Sequence, residues 1–187
     1  MKERGYFSIL ISNELILRTL NLSDAQVIFD TIDSQREYLG QWLPWVKNTK
    51  QISDTENFIK SIYSVPLEKQ ELVFAILYQE KFIGIIGYKD TDEINMKTEI
   101  GYWLSEKYQK KGIMTHCVKI LTDYAFEELS LNRVQIKCAT GNMSSKRIAQ
   151  KLNFTFEGIE RGGELSLSGE FFDLEVYSIL KKDLLLG

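Results

Sequence analysis

The residues best placed to do chemistry lie in Gln109-Lys110-Lys111-Gly112-Ile113-Met114-Thr115, a basic loop running into an apolar-periodic segment. A helix starting there leaves about four main-chain N–H groups without intrahelical partners and carries roughly half a positive charge, so it binds anions. Gly112 permits close approach of a ligand, and Lys110 and Lys111 add charge beside it. The pattern suits a pyrophosphate held by the amides of residues 110–115. It also suits a solvated basic loop with a glycine turn. The G-x-x-x-x-G-K-S/T spacing of a Walker A loop and the G-x-G-x-x-G dinucleotide fingerprint are both absent, so ATP, GTP and NAD are poor matches.

A second group sits further on, where Asn142-Met143-Ser144-Ser145-Lys146 opens another helical segment. Ser145 there, as an N-terminal helix residue, can bond its own backbone. Cys117, Cys138 and His116 are the only cysteines and histidine, with no metal-ligand spacing, so neither a zinc site nor a disulfide framework is expected. The two cysteines fall on apolar faces and read as packing residues.

The elements that position these groups follow from periodicity. Residues 14–20 place Leu15 and Leu17 opposite Ile16 and Arg18, which is a strand. Ser23 with Gln26, and Ser53 with Glu56, have capping-box spacing and announce two helices. In the second, Phe58, Ile59, Ile62 and Tyr63 share a face, and Pro66 ends it. An aromatic connection holding Tyr38, Trp42 and Trp45 joins them.

Residues 72–78 and 82–88 are β-rich runs around Gln79-Glu80-Lys81, a hairpin. Residues 98–104 form a further strand. The segment 113–129 is a helix with Cys117, Ile120, Leu121 and Tyr124 on one stripe. A strand at 133–138, a helix at 144–152 and a strand at 154–160 follow, and a glycine-punctuated turn leads to the last strand, 171–180. This order predicts one mixed sheet with helices on both faces, in a single domain spanning 1–187.

The chain has 187 residues, 23 Lys+Arg against 26 Asp+Glu, 44% hydrophobic and 12% aromatic residues. That is ample for one core and argues against a protein whose main task is holding nucleic acid, which needs clustered cations. The apolar run in residues 1–10 is broken at Asn13-Glu14, too short for a signal peptide, and no stretch approaches the ~20 apolar residues of a membrane span. The expected location is the cytoplasm.

Taken together, Glu99-Ile100-Gly101-Tyr102-Trp103-Leu104, Gln109-x-x-Gly112-Ile113, Asn142-x-x-Ser145 and Leu152-Asn153-Phe154 resemble the GNAT superfamily of acetyl-CoA-dependent N-acetyltransferases. Trp42-Leu43-Pro44-Trp45 is similar to the RimJ/RimL branch, which acetylates N-terminal amines of ribosomal proteins. The likeness runs from about Leu15 to Leu180. Two positions depart from the family pattern: Met114 stands where Gly or Ala is usual, and Asn153 where Gly is usual. Asn is the non-glycine residue best tolerated in a left-handed helix end.

The resemblance implies a GNAT fold, a mostly antiparallel mixed α/β sheet of about seven strands with a splayed pair and helices on both faces. It implies acetyl-CoA bound by Tyr102, Trp103 and Leu104 through the main chain, and by Gln109, Lys110, Lys111, Gly112, Ile113, Met114, Thr115, Asn142 and Ser145. An amide near Tyr102–Leu104 would stabilise the oxyanion, an effect of about 3–4 kcal/mol in other enzymes. Ser145 is then the donor to the departing thiolate and Glu164 the base, with Glu99 its rival and Tyr108 and Tyr177 rivals for the donor. Trp42 and Trp45 would line the acceptor groove, or serve as ordinary core.

The implied acceptor is an N-terminal amine, whose pKa of about 8 makes it far easier to deprotonate than a lysine near 10.4. The alternatives are a small amine such as an aminoglycoside, polyamine or amino acid, and a non-catalytic acetyl-CoA sensor. No metal, membrane or nucleic-acid partner is implied. An exposed final strand could pair two copies into a homodimer.

Overall fold

The computed structural model describes residues 7–66 and 69–185; of the N-terminal residues read for a signal segment, 1–6 lie outside it. Eight strands and five α-helices follow in the order β1 (Ser8–Leu10), β2 (Leu15–Thr19), α1 (Ala25–Asp33), α2 (Arg36–Gly40), α3 (Ile52–Tyr63), β3 (Val73–Tyr78), β4 (Lys81–Asp92), β5 (Lys97–Leu104), α4 (Ile113–Glu127), β6 (Arg133–Ala139), α5 (Met143–Lys151), β7 (Thr155–Leu165) and β8 (Phe171–Leu180). The strands lie in the order β1-β2-β3-β4-β5-β6-β8-β7. Among the described pairings only β5 with β6 is parallel, and its register runs from Lys97↔Arg133 to Glu99↔Gln135. Strand β6 carries its antiparallel pairing with β8 on to Ala139↔Leu174. This is the mostly antiparallel mixed sheet that the resemblance implies. The strand beyond the expected count is β1, only three residues long and too short to show an alternating pattern.

The chain divides into two compact units, Met1–Gly87 with Tyr102–Ile113, and Tyr88–Gly101 with Met114–Gly187. In the first, Leu20, Ile28, Ile32, Leu39 and Ile59 from the helical segment close over Ala75 and Ile85. Strand β2 shows the expected alternation, with Leu15 and Leu17 buried. In the second unit, α4 buries Cys117, Val118, Leu121 and Ala125, while Ile120 and Tyr124 are only half-buried. The apolar stripe is therefore displaced toward Val118 and Ala125 from the one read in the sequence.

Several local expectations are corrected. The first cap is not Ser23 with Gln26: Asn21 accepts from Ser23 N, and Asp24 accepts from Asn21 N at 2.7 Å, so the box sits two residues earlier. Asp24 is free to do this because Arg18 neutralises it through paired contacts at 2.8 and 2.9 Å. Likewise Asp54 caps α3 by accepting from Gln51 N, in place of Ser53 with Glu56. Phe58 does not share the buried face, being 43% exposed, whereas Ile59 is buried. The hairpin turn is Gln79-Glu80 alone, both at positive φ (49° and 63°), the left-handed pair that matches the twist of the flanking strands. Gly162 and Gly163 lie within β7, and the turn before β8 contains Gly169 instead. The aromatic connection holds the short helix α2, which is too brief to show a helical period.

Gly84 of β4 is fixed by a steric limit, since a Cβ there would lie 2.3 Å from the carbonyl oxygen of Trp103. Only hydrogen lets β4 come so close to the end of β5, where Ser105 N also donates to Ile83 O at 2.8 Å. Replacing Gly84 with Ala should cost about 1–3 kcal/mol through forced backbone movement. Urea unfolding would show a lowered midpoint at unchanged slope.

Candidate active site

The loop leaving β5 begins with a short 3-10 helix, Glu106–Tyr108. Lys110 then adopts φ 61° and Gly112 φ 77°, and α4 starts at Ile113. Left-handed residues alternating with an ordinary one before a helix aim main-chain N–H groups into a concave, anion-binding turn. Lys110 and Lys111 are exposed, whereas Ile113 and Met114 are buried. Asn153, at φ 58°, takes the left-handed conformation expected after α5.

Within the first unit this loop is braced by two side chains that sequence reasoning did not single out for the task. Gln35, between α1 and α2, donates to Ser105 Oγ at 3.2 Å and accepts from Glu106 N at 3.0 Å. The Tyr38 hydroxyl donates to the carbonyl of Leu104 at 3.4 Å and accepts from the Gln109 amide. Burial, with Glu106 adding to it, holds the Tyr38 phenol above its ordinary pKa, so it stays a donor. Gln109, expected to face a ligand, thus spends its side-chain amide on Tyr38. These contacts join residues some seventy positions apart, and no local pattern announces them. Trp103 is buried and packs against Phe82 and Trp45, the latter with ring centres 6.4 Å apart. Trp45 remains 38% exposed, and Trp42 is half-buried.

The second unit holds the remaining candidates. Asn142 caps α5 by accepting from Ser145 N at 3.2 Å, which fixes the backbone of Ser145. The Ser145 side chain is buried and hydrogen-bonds the thiol of Cys138. Burial nevertheless pushes the Cys138 thiol up to about 11. Beside them, Glu175 bonds Lys146 at 3.0 Å and accepts from the Tyr177 hydroxyl. Those two hydrogen bonds hold Glu175 below its ordinary carboxylate range, the one from Tyr177 acting most strongly. Tyr177 is buried and raised, so it is a firmly protonated donor already committed to Glu175.

Glu164 is not a turn residue. It lies on β7 opposite Phe172, half-buried. Desolvation raises it above the ordinary carboxylate range; Lys89 opposes that shift, and Glu99 adds to it. Its rival Glu99 is buried and fully engaged, bridged to Lys89 Nζ at 2.7 Å and accepting from Gln135 at 3.0 Å. Gln135 and Cys138 are three residues apart on β6, so the side chains that Glu99 and Ser145 touch leave opposite faces of that strand. Tyr108, the other proposed donor, meets Tyr78 edge-on and has the amines of Lys107 and Lys111 about 5 Å from its ring. His116 is exposed. Among the described residues there is no cluster of His, Cys, Asp or Glu able to hold a metal, and no helix long and apolar enough to cross a membrane.

The thiol environment has a direct chemical readout. With Cys138 pushed up to about 11 and Cys117 to about 12, the thiolate fraction at pH 8 is at least a hundredfold below that of a free cysteine near 8.5. Iodoacetamide should therefore label neither residue at pH 8 until the chain is unfolded. Rapid labelling of native Cys138 would contradict the described burial.

Comparison with known proteins adds to this geometry. A family model described as an acetyltransferase (GNAT) domain matches residues 14–155. The chain is 34% identical to "Putative ribosomal N-acetyltransferase YdaF" of Bacillus subtilis (strain 168), covering 95% of this chain and 97% of that protein. It is 25% identical to the ribosomal-protein-serine acetyltransferase of Escherichia coli (strain K12), over 91% of this chain and 95% of the other. Among solved structures, RimL, a ribosomal L7/L12 alpha-N-protein acetyltransferase in complex with coenzyme A, superposes with a TM-score of 0.87 at 25% identity, covering 93% of this chain and 98% of that one.

Proposed function

The chain belongs to the GNAT acetyltransferase family and is an acetyl-CoA-dependent N-acetyltransferase; from that premise we propose that its acceptor is the N-terminal amine of a protein, foremost a ribosomal protein. The observation that carries the cofactor side of this reading is the left-handed turn at Lys110 and Gly112 opening onto α4, and the acceptor side rests on the similarity to ribosomal-protein acetyltransferases. An acetyl thioester is what the cofactor supplies when bound. The amides of residues 110–115, with Lys110 and Lys111, would take its diphosphate. Gln109 acts from behind the loop, through Tyr38. Main-chain groups of Tyr102, Trp103 and Leu104 would hold the pantetheine arm and polarise the carbonyl. Tyr38 holds the carbonyl of Leu104, and Gln35 holds Ser105 and Glu106 just beyond it.

Ser145, its main chain fixed by Asn142, is the donor to the departing sulfur. A hydroxyl needs only to share its proton with the developing thiolate, so no deprotonated serine is required. Glu164 is the better base of the two carboxylates. Glu99 is occupied by Lys89 and Gln135, whereas desolvation lifts Glu164 toward the range where a carboxylate accepts a proton readily. Trp42 and Trp45 would line the acceptor side. Support for a protein N-terminus comes from the relatives' names and from its amine pKa near 8, which asks little of a base. Residues 1–187 would act as one catalytic domain, with a cytoplasmic acceptor.

The test is an acceptor panel of peptides beginning in Ser, Ala or Met beside spermidine, an aminoglycoside and free amino acids, read by thiol release and by mass. A peptide gaining one acetyl group at its first residue is the expected result. Turnover confined to the small amines would replace the acceptor assignment, and binding of acetyl-CoA without any turnover would favour a sensor. Ser145→Ala should lower kcat by about a hundredfold while leaving the Kd for acetyl-CoA within a few-fold. Unchanged kcat would remove Ser145 from the mechanism.

A further inference from the structure

Strand β7 lies at the outer edge of the sheet, beside β8, and its register breaks next to the proposed base. Glu160 stands opposite Leu174 and Glu164 opposite Phe172, so Arg161, Gly162 and Gly163 face the single residue Asp173. Two surplus residues are thereby folded into the strand as a bulge. Such bulges re-aim the side chains around them and are frequent beside active sites. A strand that slips by one residue turns its side chains to the wrong face, and burial opposes that. A slip by two residues keeps every face, so alternation does not exclude it. With the bulge drawn straight, Gly162 would stand opposite Phe172 and Glu164 opposite Glu170, about 6–7 Å nearer the hairpin tip.

Direct contacts hold the bulged register. Gly162, at φ 61°, donates its N–H to Asp173 Oδ1 at 2.8 Å. Asp173 is itself anchored from just past β6, where its carbonyl accepts from Thr140 N at 2.8 Å and from Thr140 Oγ1 at 3.1 Å. Gly163 gives the bulge room, since a Cβ there would lie 2.8 Å from Leu174 Cδ1. On the near side Glu160 is tied to Lys137 of β6 at 2.7 Å. On the far side Ser166 N donates to Glu170 O at 2.7 Å, a bond that a two-residue slip would break. Of these contacts, the one that reaches into the bulge itself comes from Asp173.

We propose that Asp173 is a positioning residue: it locks the β7 bulge through Gly162 and so keeps Glu164 opposite Phe172, where it meets the incoming amine. A carboxylate oxygen is a strong acceptor for a main-chain N–H. What the lock needs is an acceptor oxygen at that place. Without one the bulge can straighten, and Glu164 travels with the strand while the strand keeps its faces.

The inference rests on the reading of Glu164 as base only for its effect on rate, and the experiment separates the two. Register is read by NMR on the full chain, from the backbone NOEs that join Glu164 to Phe172 and Leu165 to Phe171. In Asp173→Ala these should weaken, and NOEs joining Glu164 to Glu170 and Gly162 to Phe172 should appear. In the same variant kcat should fall about tenfold or more, with the Kd for acetyl-CoA within a few-fold. Asp173→Asn keeps an acceptor oxygen in place and should restore the original NOEs and most of kcat. A general loosening of the strand creates no new NOE pairs. Original NOEs that persist in Asp173→Ala overturn the proposal, as does an Asp173→Asn variant that slips like Asp173→Ala. If Asp173→Ala fails to fold, Gly162→Ala, which burdens the same bulge with a left-handed alanine, carries the test. A register that shifts while kcat holds leaves Asp173 its role and removes Glu164 from the chemistry.

Discussion

Parallel pairing of β5 with β6 is the constraint from which the candidate site follows. Parallel strands cannot be joined by a tight turn, so the chain must leave the end of β5, cross over as a helix and return to the start of β6. Helix α4 is that crossover, which brings its N-terminus soon after the strand's C-terminal end, beyond the short 3-10 helix Glu106–Tyr108. A strand end with main-chain groups to offer and a helix start with amides to offer are thereby delivered by consecutive residues, 102–115. Ligands of mixed sheets gather at such strand ends for this reason. The register that enforces the arrangement is short, ending among the described residues at Glu99↔Gln135.

Charge is distributed over the second unit by the same alternation of side chains. The odd-numbered positions of β6 put Arg133, Gln135 and Lys137 on one face, where they meet Glu157, Glu99 and Glu160 respectively. Glu157 is held down at about 2, chiefly by Arg133 and with help from Ser178, so this pair stays ionised across the neutral range. The even-numbered positions carry Val134, Ile136 and Cys138, and helix α5 brings Ser145 against that other face.

Much of this was legible in the sequence, and the rest was not for identifiable reasons. Helix α4, the basic turn before it and strand β5 could be read because period and glycine placement are local properties. The capping positions were misread because Asn21 and Asp24 also satisfy the spacing, and the choice between the two boxes is made by Arg18, whose contact is tertiary. The exposure of Phe58 could not be read because a one-residue rotation of a helix barely changes its apolar pattern. The brace from Gln35 and Tyr38 onto residues 104–109 was invisible for a stronger reason: hydrogen bonds between positions seventy apart leave no periodic trace. Motif likeness identified Glu164 as a carboxylate of interest, but its place on β7 opposite Phe172 and its desolvation came only from the fold.

Gly101 ties the sequence freedom of one strand to the length of a side chain on the next. Its backbone conformation would admit any residue, and an alanine methyl would rest against the Lys89 stem at ordinary contact distance. Anything larger would lift that stem off the strand and loosen the ion pair at its tip. Positions 89 and 101 should therefore drift together over evolutionary time, a bulky residue at one being tolerated only after the long cation at the other has gone.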